Sequence, residues 1–418
     1  MRPDAYARTR NALDGAVTRL SPYLTHGLLE LPEVLAAVAA RHPLGVQHKF
    51  VYELGWREYF HHVWAHRGDG ILQSLHAGPL PDAAYAAEVP TDVREARSGV
   101  PVIDQAVRGL YAEGWLHNHA RMWLASYLVH LRKVHWRAGA DWLWGHLLDG
   151  DLASNHLSWQ WVAGTGSHQP YLFNAGNVAR HAPPHWHSPG SVLDTSYEAL
   201  DALARDPLAV PATPAGEGVD EPGRDAAPGP SFAAQLEQGL AGPGAAAARG
   251  TPPVDPAAAL AAAADAVRGR EVWLAHPWAL GDPPADLAPD TLVLAWWPVD
   301  VLSARPWSAA RRDFAATRLA ALSTQRWACD GATLGRLLAG ARRVRTRGDP
   351  QLAGRLPASV QARPVPRLFA AVERPCPSFS AWWRRVTRGV HALDDLPGLA
   401  ARLPDAATGR PAPGGSAP

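Results

Sequence analysis

The chain has 418 residues, a formal net charge of +1 and only two cysteines, Cys329 and Cys376. This length is enough for two domains with separate cores, and the near-neutral charge gives no global sign of a polyanionic partner, although a local basic patch stays open. Two distant cysteines exclude an all-cysteine iron–sulfur cluster and a disulfide framework. Because no signal-peptide pattern and no run of eighteen apolar residues occurs, the sequence predicts a cytoplasmic protein without a membrane span.

Residues 1–200 are predicted to form an all-α domain. Apolar residues recur at spacings of three and four in 31–38, 50–64, 103–110 and 122–134, which is the period of an amphipathic helix. Proline and glycine separate these stretches, and strand patterns are scarce.

The first polar motif in this region lies on the helical pattern around residue 120. Asn118, Arg121 and Met122 are three and four residues apart, so an amide, a guanidinium and a thioether share one helix face. A polar face in a tryptophan-rich, otherwise apolar region indicates a ligand pocket.

A second motif follows about thirty residues later. Asp149 is placed as a cap, Asp151 opens a helix, and Asn155 and Trp159 follow at steps of four. A buried Arg121 needs a partner, since an unpaired charge in a dry interior costs several kcal/mol, and Asp149 is the natural one. A purely structural ion pair between two helices is the alternative interpretation.

The composition changes over residues 201–268 to alanine, proline and glycine. Such a segment buries too little apolar surface to offset its ordering entropy, so it is predicted to be a flexible linker. A short helix is possible at 232–240.

Residues 269–405 are predicted to form a smaller α/β domain. Buried strands are indicated at 271–274 and 291–297, and a helix with several arginines at 308–322. Residues 406–418 are predicted to be a disordered tail. The predicted fold class is mainly α, with an all-helical domain, a linker and a smaller α/β domain.

Five segments of the first 200 residues resemble motifs of the photolyase and cryptochrome family, in the family's order and at similar separations. They are Thr18–Leu24, Glu53–Glu58, Gly99–Asp104, Trp115–Met122 and Asp149–Trp161. Five ordered motifs are a specific signal, and together they cover about residues 10 to 180. The resemblance implies FAD as the cofactor of the helical domain. Family members usually carry an α/β domain ahead of the flavin domain, so residues 269–405 are interpreted as a relocated or degenerate antenna-type domain.

The resemblance also implies which residues hold FAD. The diphosphate loop would be formed by Thr18, Arg19, Leu20 and Ser21, with Arg57 on the phosphate side, and the rings and ribityl chain would be surrounded by Asn118, Arg121, Asp149, Asp151 and Asn155. Val17 stands where the family often has a hydroxyl residue. Taken alone, Ser21-Pro22 is also a common helix entry and Arg57 an ordinary solvated charge.

The same resemblance implies light-driven repair of cyclobutane pyrimidine dimers, with an electron passing from excited reduced FAD to the lesion. The residues that would receive a flipped-out dimer are Glu53, Trp56, Asn118, Met122 and Trp161. The implied partner is damaged DNA, bound by a monomer. The alternative is a cryptochrome-like photoreceptor or signalling protein without repair activity, favoured by His119 in place of a family arginine and by an altered segment at 164–174.

Trp159 and Trp136 resemble the inner and middle tryptophans that relay electrons to the flavin in this family. The outer tryptophan is missing, and Tyr85 falls near its place. Trp142 or Trp144 would otherwise have to serve, and a packed aromatic core remains the plainer interpretation.

No metal site is predicted. His181, His185 and His187 lie in a proline-rich turn without a cysteine or carboxylate in ligand spacing. His61, His62 and His66 lie on helix-like spacing and are interpreted as packed surface residues.

Overall fold

The computed structural model describes residues 2–211, 217–227 and 256–400. The first of these ranges is helical, as predicted for the first 200 residues. Its α-helices are α1 (Pro3–Thr9), α2 (Ser21–Thr25), α3 (Leu31–Ala39), α4 (Lys49–Arg67), α5 (Thr91–Arg94), α6 (Pro101–Glu113), α7 (Asn118–Ser126), α8 (Trp136–His146), α9 (Leu152–Ala163), α10 (Ala175–His181) and α11 (Tyr197–Arg205). A π-helical turn, Tyr127–Leu131, continues α7.

Local capping sets the ends of the helices that carry the polar motifs. The Asp151 carboxylate accepts a hydrogen bond from the Ser154 backbone N–H at 2.8 Å and so begins α9. Gly114 and Gly164 end α6 and α9 with φ of 60° and 76°, the left-handed conformation that glycine adopts without strain. A helix begins at this point as predicted, but its cap is Asp151 and not Asp149, whose carboxylate pairs with Arg121 instead.

A parallel sheet follows in the second half of the chain. Its strands are β2 (Glu271–Ala275), β3 (Leu292–Pro298), β5 (Gln325–Cys329), β6 (Arg343–Arg347) and β7 (Val360–Arg363), and the short β1 (Arg224–Asp225) and β4 (Trp307–Ser308) pair antiparallel beside it. The helices are α12 (Pro256–Val267), α13 (Val299–Ala304), α14 (Ala309–Leu322), α15 (Gly331–Leu338), α16 (Phe379–Val386) and α17 (Pro397–Ala400). Both predicted strands and the predicted arginine-rich helix are present.

The order of the sheet is β5-β3-β2-β6-β7, with all neighbours parallel. Numbered along the chain, these strands lie in the order 3-2-1-4-5, as in doubly wound α/β folds. Within the described residues, no helix is both long and apolar enough to cross a membrane.

The α/β region shares its core with the helical region. Trp64, Trp144 and Leu152 of α4, α8 and α9 belong to the same buried cluster as Trp278 and Trp307 of the α/β region. The two halves therefore bury apolar surface against each other.

A further core joins the end of the described chain to α3 and α4. Phe50 and Tyr59 pack there with Phe369, Phe379 and Trp383. Helix α16 is thus held against the helical region rather than against the sheet alone.

The predicted linker at 201–268 contains more structure than expected. Residues 201–205 complete α11, Arg224–Asp225 form β1, and Pro256–Val267 form α12. Alanine-rich composition is compatible with a helix as well as with a linker, and Val267 is buried in the core of the α/β region.

Parts of two sequence predictions lie outside the described residues. They are the possible helix at 232–240 and the tail at 406–418.

Candidate functional site

A cavity of about 350 Å³, lined by both polar and apolar side chains, lies among α1, α2, α4, α7, α8 and α9. The predicted site residues that line it are Ser21, Glu53, Arg57, Asn118, Arg121, Met122, Asp149, Asp151, Asn155 and Trp159. Residues separated by more than 130 positions in sequence therefore converge on one space.

The ion pair between Arg121 and Asp149 is present. One guanidinium nitrogen lies 3.0 and 2.7 Å from the two carboxylate oxygens, and Nε donates to the Leu116 carbonyl at 2.9 Å. The Ser21 hydroxyl donates to the same carboxylate at 2.5 Å. The Asp149 side chain is only 3% exposed, so this charge depends on its partners.

The Asp151 carboxylate also has several hydrogen-bond partners. Its carboxylate accepts from Arg57 at 3.2 Å, lies 2.7 Å from His61 Nε2 and caps Ser154. Although burial acts to raise it, Arg57 and His61 hold the pKa of Asp151 well below its usual value. Of the histidines interpreted as packed surface residues, His62 is buried, whereas His61 stays 30% exposed and contacts Asp151. The spacing of four between Arg57 and His61 was the signal for a shared face.

Asn155 and Ser154 lie beside each other on the cavity wall. Asn155 Nδ2 donates to the Ala140 carbonyl at 2.9 Å, which fixes the amide. The Ser154 hydroxyl is buried and, among the described residues, has no hydrogen-bond partner. A buried polar atom without a partner is costly, so a ligand in the cavity would satisfy it.

Glu53 lies on the wall formed by α4 and α1. Arg10 Nε lies 3.4 Å from its carboxylate, and Tyr6 lines the same cavity. Burial raises the pKa of Glu53, while Arg10 and Lys49 act to lower it. Neither residue was predicted, because Tyr6 joins the cavity lining and Arg10 reaches Glu53 only when the first segment of the chain folds against α4.

Asn118 and Met122 are neighbours on α7, as the spacing predicted. Asn118 Nδ2 lies 3.3 Å from the Met122 sulfur. The side chains of Asn118, Arg121 and Met122 therefore line one cavity.

Two predicted substrate residues lie elsewhere. Trp56 stacks on Phe379 of α16 with ring centroids 4.0 Å apart and an interplanar angle of 11°. Trp161 is 43% exposed and lies 5.5 Å from the Tyr171 ring. Neither side chain lines the cavity, because α4 and α9 point these positions away from Glu53 and Asn155.

The predicted diphosphate loop contributes only Ser21 to the cavity lining. Arg19, with φ of 52°, bonds to Glu113 at 2.9 Å and lies over the Trp115 ring. Thr18 accepts from the Leu20 N–H at 3.4 Å. These contacts hold the loop, and they place Thr18, Arg19 and Leu20 beside the cavity rather than in it.

The predicted electron relay is buried close to the cavity. Trp159 lines the cavity and packs against Gly139 of α8, where an added Cβ would lie 2.3 Å from the ring. The Trp136 ring is 5.8 Å from His135, which is 6.2 Å from Tyr85. An aromatic series thus leads outward from Trp136 to Tyr85.

His119 lies between two other imidazoles, 5.7 Å from the His117 ring and 5.1 Å from the His181 ring. Burial lowers the pKa of His119 to about 4, so it is neutral near pH 7. No group of three potential metal ligands occurs in the described ranges.

The cavity fits a flavin dinucleotide by the chemistry of its lining. Its volume falls in the usual range of ligand pockets. Phe60, Leu143 and Trp159 form apolar walls. Among the described residues, the Ser154 hydroxyl has no hydrogen-bond partner and could bond to a ligand. Arg57, Arg121 and Ser154 would hold the flavin, which supplies electron-transfer chemistry when bound. Fold and site together define a flavin-binding helical domain.

Comparisons with known proteins also indicate a flavin-binding domain in this region. Residues 50–185 match the family model of the FAD binding domain of DNA photolyase. A deoxyribodipyrimidine photo-lyase of Streptomyces griseus is 39% identical over 153 residues, 36% of this chain and 33% of its own. A cryptochrome DASH of Idiomarina loihiensis is 31% identical over 39% of this chain and 38% of its own. Residues 50–185 are therefore similar to the FAD-binding domain of the photolyase and cryptochrome family, and FAD is the cofactor of this region.

The similarity is confined to part of each protein. The chain spans 33% to 44% of the length of the curated relatives it matches. A solved Synechocystis cryptochrome covers 43% of this chain with 26% identity and a TM-score of 0.38, and 39% of that chain is covered.

Proposed function

We propose that this protein repairs cyclobutane pyrimidine dimers in DNA in a light-driven reaction. The carrying observation is that one cavity brings Glu53, Asn118 and Met122 together with the Arg121–Asp149 pair. When bound, reduced FAD would supply the light-excited electron. The relatives with the photo-lyase name support the choice of substrate.

Glu53 is suited to hydrogen-bond with a lesion carbonyl. Its raised pKa favours the neutral acid, which has an O–H to donate. Arg10, 3.4 Å away, limits the shift and keeps the carboxyl group in place.

Asn118 and Met122 would receive the remainder of a flipped dimer. The amide offers both a donor and an acceptor, and the thioether provides an adaptable apolar contact. Trp161, exposed at 43%, would present its face to an unstacked base.

The test is irradiation of purified, reduced protein with a dimer-containing oligonucleotide. Wild type should restore the pyrimidines in light and not in darkness, and Glu53→Ala should lose at least about tenfold in rate, consistent with about 1.4 kcal/mol for one hydrogen bond. Glu198→Ala is the matched control, because Glu198 is exposed and does not line the cavity. Light-independent or absent turnover with FAD bound would reject repair.

The second candidate is a cryptochrome-like photoreceptor without repair activity. Its specific support is the Trp56 face, which Phe379 covers at 4.0 Å, together with the neutral His119 in place of a fixed cation. Photoreduction of bound FAD without dimer splitting in the same assay would select this function.

We also propose that residues 269–405 are a relocated antenna-type domain. The doubly wound order of its five parallel strands supports this relation. Excitation spectra of the protein as purified from cells should then contain a band beyond those of FAD, and a pure FAD spectrum would favour a degenerate domain.

A further inference from the structure

The α/β region places one fully buried guanidinium directly behind the flavin cavity. Arg311, in the first turn of α14, is 0% exposed. Nη1 donates to the Trp144 carbonyl and Nη2 to the Gly150 carbonyl, both at 2.7 Å. The guanidinium carbon also lies 4.4 and 4.0 Å from the Trp144 and Trp307 ring centroids, at cation–π distance.

Gly150 is shaped to accept this contact. A Cβ at this position would lie 2.3 Å from Arg311 Nη1 and 2.6 Å from the Trp144 carbonyl oxygen. Gly150 is flanked by Asp149 and Asp151, whose carboxylates line the cavity. Arg311 therefore fixes the backbone that aims both acids.

The charges around the Asp149–Asp151 turn do not cancel. Arg121 pairs with Asp149 and Arg57 pairs with Asp151, so these four groups are neutral together. Arg311 adds a positive charge, its two strong hydrogen bonds go to carbonyls, and its Nε has no partner among the described residues.

A buried charge without a counter-ion costs several kcal/mol, and a nearby anion offsets part of that cost. Burial lowers the pKa of Arg311 to about 9, and Asp149 and Asp151 act to raise it, so the group stays protonated near pH 7. The Asp149–Asp151 turn therefore has one positive charge behind it in addition to its two ion pairs.

We propose that Arg311 is a positioning residue of the flavin site, which orders the Asp149–Asp151 turn and favours the reduced, negatively charged form of bound FAD. The residue lies outside the segment that matches the photolyase domain, residues 50–185. The inference rests on FAD as the cofactor and not on DNA repair. It gives the α/β region a role in tuning the helical site.

The test compares Arg311→Met, Arg311→Lys and the control Arg318→Met in the full chain. Arg318 lies on the same helix but bonds to Leu280 and Asp282, away from the turn. The measurements are the midpoint potential of bound FAD, the FAD dissociation constant by calorimetry on apoprotein, and the thermal unfolding of apoprotein.

Removal of the charge should weaken binding of reduced FAD about tenfold more than binding of oxidised FAD. This ratio corresponds to a midpoint potential about 30 mV lower for a two-electron couple. Arg311→Lys should keep the wild-type potential while losing affinity for both forms, since an ammonium cannot hold two carbonyls in the guanidinium geometry. Arg318→Met should leave the potential unchanged.

A lower unfolding temperature with an unchanged potential in Arg311→Met would overturn the electrostatic role and leave only a structural one. A shift of the midpoint potential in Arg311→Lys as large as that in Arg311→Met would also overturn the electrostatic role, because lysine keeps the positive charge. If Arg311→Met fails to fold, Gly150→Ala displaces the guanidinium from the opposite side and must also shift the potential. These readouts need no DNA, so a failure of repair is distinguishable from a failure of this proposal.

Discussion

The cofactor side and the substrate side of the cavity are built differently. On the cofactor side, defined by Arg57, Arg121, Asp149, Asp151 and Asn155, every member lines one space and the charges are paired within hydrogen-bond distance. On the substrate side, defined by Glu53, Trp56, Asn118, Met122 and Trp161, the two tryptophans point elsewhere.

The difference follows from what each kind of side chain requires. Buried charges must find partners, so Arg121 and Asp149 constrain each other across the helices. Tryptophans require only apolar surface, and Phe379 provides it for Trp56. Flavin binding therefore rests on charged residues that constrain each other, whereas the proposed repair depends in part on tryptophans that need only apolar contacts.

The largest effect should come from breaking the cofactor side. Asp149→Ala leaves the Arg121 guanidinium without its carboxylate, and loss of one partner of a buried pair costs about 3–5 kcal/mol. We expect FAD affinity to fall by a factor of about 100 or more, consistent with a loss near 3 kcal/mol. The ratio of flavin to protein absorbance after gel filtration measures it.

The matched control is Asp201→Ala, which removes the carboxylate of an exposed pair with Arg205. Such a pair contributes about 0.3–0.5 kcal/mol, so this variant should stay yellow. Full flavin occupancy in Asp149→Ala would contradict the assignment of the pair to the cofactor.

The sequence could predict the cofactor side because its geometry is local. Helical spacing places Asn118, Arg121 and Met122 on one face, and Asp151 begins α9 as a helix cap. The need to neutralise Arg121 then selects Asp149. Helical periodicity and charge pairing are both visible in a single sequence.

The rest of the site depends on packing between distant segments. Phe379 meets Trp56, and Arg311 meets Gly150, through contacts over 161 positions or more. No local sequence pattern predicts these long-range contacts. The helix at 256–267 was missed for another reason, because its alanine-rich composition matches a linker as well as a helix.

The next prediction concerns the pH dependence of stability, which tests the segment that covers Trp56 on the substrate side. The Glu58 carboxylate accepts from the Leu368 and Phe369 backbone N–H groups, and these precede the helix that covers Trp56. Burial raises the pKa of Glu58 from 4.5 to about 7, although those hydrogen bonds act to lower it. A raised pKa stabilises the fold below pH 4.5, and this stability is lost as the pH rises through 7.

The loss amounts to at most about 3 kcal/mol, and urea unfolding at pH 4.5 and 8 measures it. Glu58→Gln should flatten this dependence, whereas Glu113→Gln, at an exposed pair, should retain it. Asp151 stays ionised throughout, because its pKa is held well below the ordinary value. If the free energy of unfolding depended on pH equally in wild type and Glu58→Gln, Glu58 would not be the group that titrates.

The smallest expected effect concerns the outward end of the electron relay. Tyr85 lies 6.2 Å from His135, whose ring is 5.8 Å from Trp136. Trp144 is a poor alternative, since the Arg311 guanidinium 4.4 Å from its ring centroid disfavours a positive hole there. Tyr85→Phe should slow photoreduction of bound FAD on the order of tenfold, about 1.4 kcal/mol in activation free energy.

Transient absorption after a flash provides the measurement, and Trp144→Phe is the control that should leave the rate unchanged. A phenol loses its O–H proton when it is oxidised, so heavy water should slow the wild type and have no effect on Tyr85→Phe. Burial and Asp82 raise the pKa of Tyr85, against a hydrogen bond from the Leu80 backbone, which keeps that proton on the phenol beforehand. Equal rates in Tyr85→Phe and wild type, with Trp144→Phe slowed, would assign the outer step of the relay to Trp144 instead of Tyr85.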